Sequence, residues 1–166
     1  MYLLDSNVLK EAKNRYYAFG ICPGFWDWLR LGSGNAVLAS VERIRDEIND
    51  GDPDDELRLW INNGQPLKFL APDAATIDAM KEVTRWVMTR NFDEKNRAAF
   101  FAKADPLLIA HAMAHEATVV TQEAYVPANS KKVKIPNVCE AMEVKCINCF
   151  EMLRMERARF TLQTSE

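Results

Sequence analysis

The chain has 166 residues, of which 48% are apolar and 27% are charged, a composition typical of one soluble globular domain. Its formal net charge of −3 excludes a protein that is basic over its whole surface, so a nucleic-acid role would need local basic patches or metal ions. No apolar run approaches the ~20 residues that span a bilayer, and no basic region precedes an apolar stretch at the N-terminus. We therefore expect a single cytoplasmic domain over residues 1–166.

Short apolar runs alternate with longer helical stretches along the chain. This alternation is typical of βαβ units and of a mainly parallel sheet, so the predicted fold class is α/β. The predicted strands cover residues 2–4, 36–39, 67–70, 118–121 and 144–146.

Four stretches predict helices. PGFWDWLRLGSG begins near Pro23 and ends at Gly32 or Gly34, and Asp73 caps a long helix through TIDAMKEVTRWVM. DPLLIAHAMAH is apolar almost all round, which predicts a buried helix. NCFEMLRMERARF is amphipathic and leads into a predicted helical tail over residues 151–166.

An acid follows the first predicted strand. Asp5 comes directly after the apolar residues at 2–4, and ligands in open α/β sheets bind beyond the carboxyl ends of the strands. Asp5 is therefore a candidate site residue, with a simple turn former as the alternative.

A second acid lies on the helix predicted after Ser40, which is a candidate N-cap. The apolar stripe of this helix consists of Val41, Ile44 and Ile48. Glu47 lies about a quarter turn from the centre of that stripe, whereas Glu42 and Asp46 project further toward water. Glu47 is therefore the acid aimed at a cleft, or else part of a solvated face that borders the core.

Two further acids lie at element ends. Asp105 precedes Pro106 at the start of the buried helix, where an N-cap is the alternative explanation. Glu123 follows the strand predicted at 118–121 and points to the same side as Thr121, with a surface loop as the alternative. Clustered carboxylates repel one another and need a cation, and oxygen ligands suit Mg²⁺ or Mn²⁺.

The order of these segments resembles the PIN-domain nucleases. The matching stretches are LLDSN, an acidic helix with DEI, ADPLLIAHA and ATVVTQE. The stretches PGFWDWL, VVTQE and KIPNVCEAMEVKC are similar to a bacterial PIN-like subfamily found as toxins of toxin–antitoxin pairs. The resemblance covers residues 1 to about 150 and implies a three-layer α/β/α sandwich with a mainly parallel central sheet.

The resemblance also implies a site. Asp5, Glu47, Asp105 and Glu123 would bind Mg²⁺ or Mn²⁺ for the hydrolysis of RNA phosphodiester bonds. Two further residues would support them, Asn7 by orienting the first acid and Thr121 by hydrogen bonding to water or phosphate. Most PIN domains carry Asp where this chain has Glu123. An antitoxin protein and a homodimer are the partners implied.

Three basic groups could steer substrate phosphates, although each residue could equally be a solvated surface charge. They are Lys10, Lys13 and Arg15 near the first acid; Lys131, Lys132 and Lys134 in the long irregular segment YVPANSKKVKIPNV; and Arg154, Arg157 and Arg159 near the end. Irregular segments of that length are often functional.

Other conspicuous residues favour structural roles. His111 and His115 lack the Glu that zinc proteases place after the first His, so we expect them to pack beside the core. The cysteines lack a second C-x-x-C pair, so reduced, packed thiols are expected rather than zinc ligands. Trp26 is predicted to be exposed, where it could serve a dimer or an antitoxin peptide.

Two other functions stay open from the sequence alone. One is a catalytically inactive PIN-like module that binds RNA or protein, and the other is a metal-dependent DNA nuclease. Glu123 is the residue that keeps the inactive module in consideration.

Overall fold

A five-stranded parallel sheet forms the centre of the protein, in a computed structural model that describes residues 1–161. The strands are β1 (Tyr2–Leu4), β2 (Leu38–Val41), β3 (Phe69–Leu70), β4 (Thr118–Val120) and β5 (Cys146–Ile147). Their order in the sheet is β3-β2-β1-β4-β5, and each neighbouring pair is parallel. The predicted α/β class is confirmed.

Helices connect successive strands. They are α1 (Ser6–Glu11), which runs on into a π-helical turn (Ala12–Tyr16), α2 (Pro23–Gly34), α3 (Glu42–Asn49), α4 (Glu56–Asn62), α5 (Ala74–Thr89), α6 (Glu94–Ala102), α7 (Asp105–Ala114), α8 (Ile135–Ala141) and α9 (Cys149–Met155). Within residues 1–161, none of the helices is long and apolar enough to cross a membrane.

The strand order divides the helices between two layers. The chain moves outward from β1 to β3 and then returns to β4 on the other side of β1. Because parallel crossovers are right-handed, the reversal puts the helices between β1 and β3 on one face and those between β3 and β5 on the other. Contacts of α3 with α1 and α4, and of α7 with α5, α6 and α8, agree with this division. The result is the PIN-like three-layer α/β/α sandwich.

The reversal fixes where a ligand can bind. In a doubly wound sheet a crevice opens beyond the carboxyl ends of the two strands at which the order reverses. Here those strands are β1 and β4, whose register pairs Leu4 with Val120. The residues after these two positions therefore meet at the mouth of the crevice.

The second strand and the helix after it differ from the prediction. The predicted strand at 36–39 is shifted, because Ala36 has a φ of 58° in the turn after α2 and the strand begins at Leu38. Ser40 was predicted to cap α3, but it lies inside β2, where its hydroxyl donates to the Leu4 carbonyl at 2.6 Å. A buried partner on the neighbouring strand therefore replaces the local cap.

Two helix starts agree with the sequence pattern. Asp73 caps α5 by accepting from the Thr76 N–H at 2.8 Å. Asn148 and Glu151 form a capping box at the start of α9. This last helix ends at Met155, and the part of the predicted tail at 162–166 lies outside the described residues.

Trp26 is buried, so the prediction that it is exposed is wrong. Only 3% of its surface is accessible, and its indole N–H donates to the Tyr17 carbonyl at 2.7 Å. Its ring stacks on Phe19 with centroids 3.9 Å apart. The connection between the π-helical turn and α2 therefore covers this face of the helix.

We expect Trp26→Ala to lower the free energy of unfolding by about 3–5 kcal/mol, because it removes a buried ring and orphans the Tyr17 carbonyl. Leu31→Ala is the matched control on the same helix. Leu31 is 67% exposed, so its truncation should change stability by less than about 0.5 kcal/mol. Urea unfolding checks both variants, and equal effects would contradict the burial of Trp26.

Candidate functional site

The site begins where β1 and β4 end. Asp5 follows β1, and its backbone N–H donates to the Val120 carbonyl at 2.9 Å. Its carboxylate is 3% exposed and accepts from the Thr121 hydroxyl at 2.8 Å. The two residues are 116 positions apart in sequence, so the sheet alone brings them together.

Asn7 completes this junction. Its side-chain NH₂ donates to the Thr121 hydroxyl oxygen at 3.1 Å, and its carbonyl oxygen accepts from the Gln122 N–H at 3.0 Å. Because Thr121 donates to Asp5 while accepting from Asn7, the three side chains form one directed chain of hydrogen bonds. That chain fixes the orientation of the Asp5 carboxylate.

Glu47 reaches the site from α3. Its Oε1 accepts from the Ala104 N–H at 2.6 Å, directly before α7 begins. The Arg43 guanidinium donates to the Ala102 carbonyl at 3.2 Å. These two contacts tie α3 across the crevice to the start of α7, although the two helices belong to different layers.

Asp105 is the first residue of α7 and not its N-cap, so the alternative explanation of this acid as a helix cap is wrong. Ala104 occupies the cap position. The carboxylate that accepts from the Ala104 N–H belongs to Glu47. Asp105 instead lines the cleft with its half-buried side chain.

One cleft of about 370 Å³ brings the four predicted acids together. We refer to it as the acidic cleft. Its lining includes Asp5, Glu47, Asp105, Glu123, Asn7 and Lys10. The sequence therefore identified the acids that share a cleft, although they come from four separate segments.

The carboxylates in this cleft disfavour each other's charge. Burial raises the pKa of Asp5 to about 6, and the charges of Glu123 and Glu47 add to the rise while the Thr121 hydrogen bond opposes it. Burial also raises the pKa of Asp105 to about 7, with further contributions from Asp5, Glu123 and Glu47. The nearby Lys103 lowers the pKa of Asp105 but does not cancel these effects.

Both oxygens of the Glu123 carboxylate accept hydrogen bonds from the start of α8. Oε1 accepts from the Lys134 ammonium at 2.8 Å, and Oε2 accepts from the Ile135 N–H at 2.9 Å. Glu123 thus binds the start of α8 as well as facing the cleft. The longer side chain at this position reaches contacts on α8 that the sequence did not predict.

The side chains of the acidic cleft carry the type of ligand atom that a hard divalent cation prefers. All four acids offer carboxylate oxygens, and a cation would favour the charged forms of Asp5 and Asp105, whose pKa values are raised first by burial and then by the neighbouring acids. Within residues 1–161, however, no three His, Cys, Asp or Glu side chains stand close enough together to hold a metal ion. The contacts of Glu47 and Glu123 with backbone N–H groups account for this spacing.

The predicted basic residues have different surroundings. Lys10 lines the acidic cleft, whereas Lys13 pairs with Asp55 and Lys134 pairs with Glu123. Lys131 donates to the Asn91 carbonyl at 3.0 Å. The remaining predicted residues are on the surface, namely Arg15, Lys132, Arg154, Arg157 and Arg159.

Lys103 was not predicted, although it lines the acidic cleft and the smaller cleft beside it. Lys132 lines the same smaller cleft, together with Asp105 and Glu123. The one sequence signal for Lys103 is its place two residues before Asp105. Both lysines are exposed and, like Lys10, lie beside the acids.

The histidines contact neighbouring polar side chains, and the cysteines are unpaired thiols. His111 is buried, and its Nδ1 lies 3.1 Å from the Thr76 hydroxyl. His115 pairs with Asp73 at 3.0 Å. All four cysteines are free thiols, and within the described chain they form no cluster that could bind zinc.

The raised pKa values predict that stability falls as pH rises. Protonated Asp5 and Asp105 favour the folded state, and that contribution is complete below about pH 4 and lost as pH passes about 6 and 7. Asp105→Asn removes one of these charges. With EDTA present at pH 8, the free energy of unfolding of this variant should therefore be about 1–2 kcal/mol higher than that of the wild type, allowing for solvent screening. At pH 5 the difference should be smaller.

Asp46→Asn is the control, because Asp46 is an exposed acid on α3. Its difference from the wild type should be equal at pH 5 and pH 8. Thermal and urea unfolding at both pH values measure these differences. A wild type and an Asp105→Asn variant with the same pH dependence would contradict a raised pKa of Asp105 in the folded state.

Comparison with known proteins agrees with the architecture. The crystal structure of VapBC2 from Rickettsia felis bound to a DNA fragment from their promoter is similar, with a TM-score of 0.56 and 15% sequence identity. The match covers 89% of this chain and 97% of that chain. No curated protein sequence matches this chain. The family model described as "Domain of unknown function (DUF4411)" matches residues 2–160, so the chain belongs to the DUF4411 family and has a PIN-like fold.

Proposed function

We propose that this protein is a divalent-metal-dependent endoribonuclease. The observation that carries the proposal is the acidic cleft, in which four carboxylates from separate segments meet at the strand reversal. Buried like charges cost stability, and a bound cation would offset that cost at Asp5 and Asp105, whose pKa values stay raised despite the lysines nearby. The match of the family model across residues 2–160 supports treating the chain as one domain.

The four acids would hold Mg²⁺ or Mn²⁺, with Glu123 joining after it releases Lys134. Such an ion, when bound, lowers the pKa of water and offsets the negative charge of a reacting phosphodiester. Thr121 and Asn7 keep the Asp5 carboxylate in one orientation through their hydrogen bonds. Lys10 stands at the cleft and attracts the phosphates that the acids would otherwise repel.

We further propose that the chain acts in the cytoplasm as the toxin of a toxin–antitoxin pair. The fold likeness to VapBC2 supports this proposal, as does the similarity of PGFWDWL and KIPNVCEAMEVKC to PIN-like toxins. An antitoxin protein would then be its partner. We also propose a homodimer, which the exposed apolar residue Ile21 (83%) supports.

One observation favours a second candidate, a PIN-like module without catalytic activity. Both oxygens of Glu123 are engaged by α8, and an acid kept in that arrangement could not join a metal site. Such a module would bind RNA or protein and would not cleave RNA. A metal-dependent DNA nuclease would use the same acids, so the choice of substrate has to be measured.

The nuclease proposal predicts cleavage of single-stranded RNA in Mn²⁺ and none in EDTA. Asp5→Asn and Asp105→Asn should each lower the cleavage rate by roughly 100-fold or more, because each removes a metal ligand. Asp46→Asn should cleave at the wild-type rate. Labelled RNA and DNA oligonucleotides, each run with Mn²⁺ or EDTA, measure the rates.

The same preparations separate the alternatives. Mn²⁺ at about 100 times its dissociation constant should stabilise the wild type by about 2.7 kcal/mol, and Asp5→Asn should lose that response. Equal responses would support the inactive module. Cleavage of DNA alone would identify a DNA nuclease, and equal cleavage by all variants would reveal a contaminant.

The toxin proposal predicts that induced expression in bacteria stops growth. Asp105→Asn, expressed to the same level, should allow normal growth because the acidic cleft has lost a ligand. Growth curves with immunoblots for expression measure the effect. Equal inhibition by the wild type and the variant would contradict a toxin that acts through this site.

A further inference from the structure

A second cleft, of about 510 Å³, lies between the end of α5, the irregular segment 125–132 and α8. We refer to it as the aromatic cleft. Its volume is within the range of small-ligand sites. The residues that define its chemistry are Trp86, Arg90, Phe92, Tyr125, Lys131 and Lys132.

Aromatic rings and cations both line this cleft. The Arg90 guanidinium lies 5.1 Å from the centre of the Trp86 ring, and the Phe92 ring lies 5.7 Å from that ring on α5. Tyr125 is 54% exposed on the other wall. Exposed rings beside basic side chains are the arrangement that binds single-stranded nucleic acid, by stacking bases and attracting phosphates.

The wall formed by segment 125–132 is held in place by side chains. Asn137 accepts from the Val126 N–H at 3.0 Å and donates to the Val126 carbonyl at 2.8 Å. At the other end, Asn96 donates to the Lys131 carbonyl at 2.7 Å. A wall fixed at both ends loses little conformational entropy when a ligand binds, so the cleft is preorganised.

Tyr125 is also oriented before any ligand binds. Its hydroxyl donates to the Glu140 carboxylate at 2.6 Å, which anchors the edge of the ring while more than half of the side chain stays exposed. Exposure of an apolar ring is unfavourable in water. A nucleobase stacked on the ring would remove that exposed surface.

The aromatic cleft continues toward the acids. Lys132 lines both this cleft and the smaller one, which is also lined by Asp105 and Glu123. These two acids in turn line the acidic cleft. A chain lying in the aromatic cleft would therefore meet Lys132 and then the four carboxylates.

We propose that the aromatic cleft binds unpaired nucleotides of an RNA strand whose scissile phosphodiester lies in the acidic cleft, an inference that rests on the proposed nuclease function. An antitoxin peptide would be another occupant of an apolar groove. RNA is favoured, because the aromatic cleft carries Arg90, Lys131 and Lys132 against Glu140 and leads directly to the acids.

RNA binding without cleavage tests this inference. A fluorescently labelled 12-nucleotide single-stranded RNA is titrated with protein in EDTA, and anisotropy gives the dissociation constant. Tyr125→Ala should weaken binding roughly 5- to 150-fold, the range for loss of one stacked base. Arg90→Gln, at an exposed position, should also weaken binding and should reduce its dependence on salt.

The matched control is Tyr16→Ala, because Tyr16 is 46% exposed and packs edge-on against Phe150 outside the cleft. It should bind RNA with wild-type affinity, and thermal unfolding shows that each variant is folded. A 2-aminopurine base in the RNA should lose fluorescence on binding wild type but not Tyr125→Ala. A duplex of the same sequence should bind more weakly, because its bases are already stacked.

The outcomes separate this inference from the nuclease proposal. Wild-type affinity in Tyr125→Ala, equal binding of duplex, or no binding of single-stranded RNA would overturn the inference, whatever the cleavage assay shows. Loss of binding in Tyr125→Ala without Mn²⁺-dependent cleavage by the wild type would support the cleft and reject the nuclease. Direct binding of a labelled acidic peptide by a protein that does not bind the RNA would overturn the inference and make the cleft a protein site.

Discussion

The hydrogen bond between Thr121 and Asp5 is the contact on which the site depends. It joins the ends of β1 and β4, the two strands between which the sheet reverses its order. Strands in that position leave a crevice that no helix covers. The carboxylate at its mouth is desolvated by the surrounding core and supported by one hydroxyl, and the other acids are arranged around it.

The remaining acids also contribute to the structure. Glu47 joins α3 to the start of α7, and Glu123 joins the end of β4 to α8. Charge-assisted hydrogen bonds of this kind are stronger than neutral ones. Asp5, Glu47 and Glu123 are thus each hydrogen-bonded to a neighbouring element, which keeps the segments that carry them in place. Asp105 is the acid that is left directed into the cleft.

The sequence was sufficient for the features that local pattern controls. Alternating apolar runs located the five strands, and Asp73 marked a helix start. Distant contacts controlled the features that were missed. The Ser40 hydroxyl donates to the Leu4 carbonyl on the neighbouring strand, and Phe19 and Tyr17 cover Trp26. At the start of α7, the carboxylate that accepts from the backbone N–H of Ala104 is that of Glu47 and not that of Asp105. The lysine partners were likewise unpredictable, because a charge in a sequence does not reveal which carboxylate it will meet in the fold.

The separation of Asp5 and Thr121 by 116 positions has a consequence for synthesis on the ribosome. The central strand emerges early, but its neighbour β4 and the residues that complete the junction emerge only after most of the domain has been translated. Long-range pairing of this kind forms late, because the intervening chain must first be closed into a loop. A nascent chain that stops before Thr121 therefore carries Asp5, Glu47 and Asp105 without Thr121 and Glu123, so the cleft stays incomplete until translation of the domain is nearly finished.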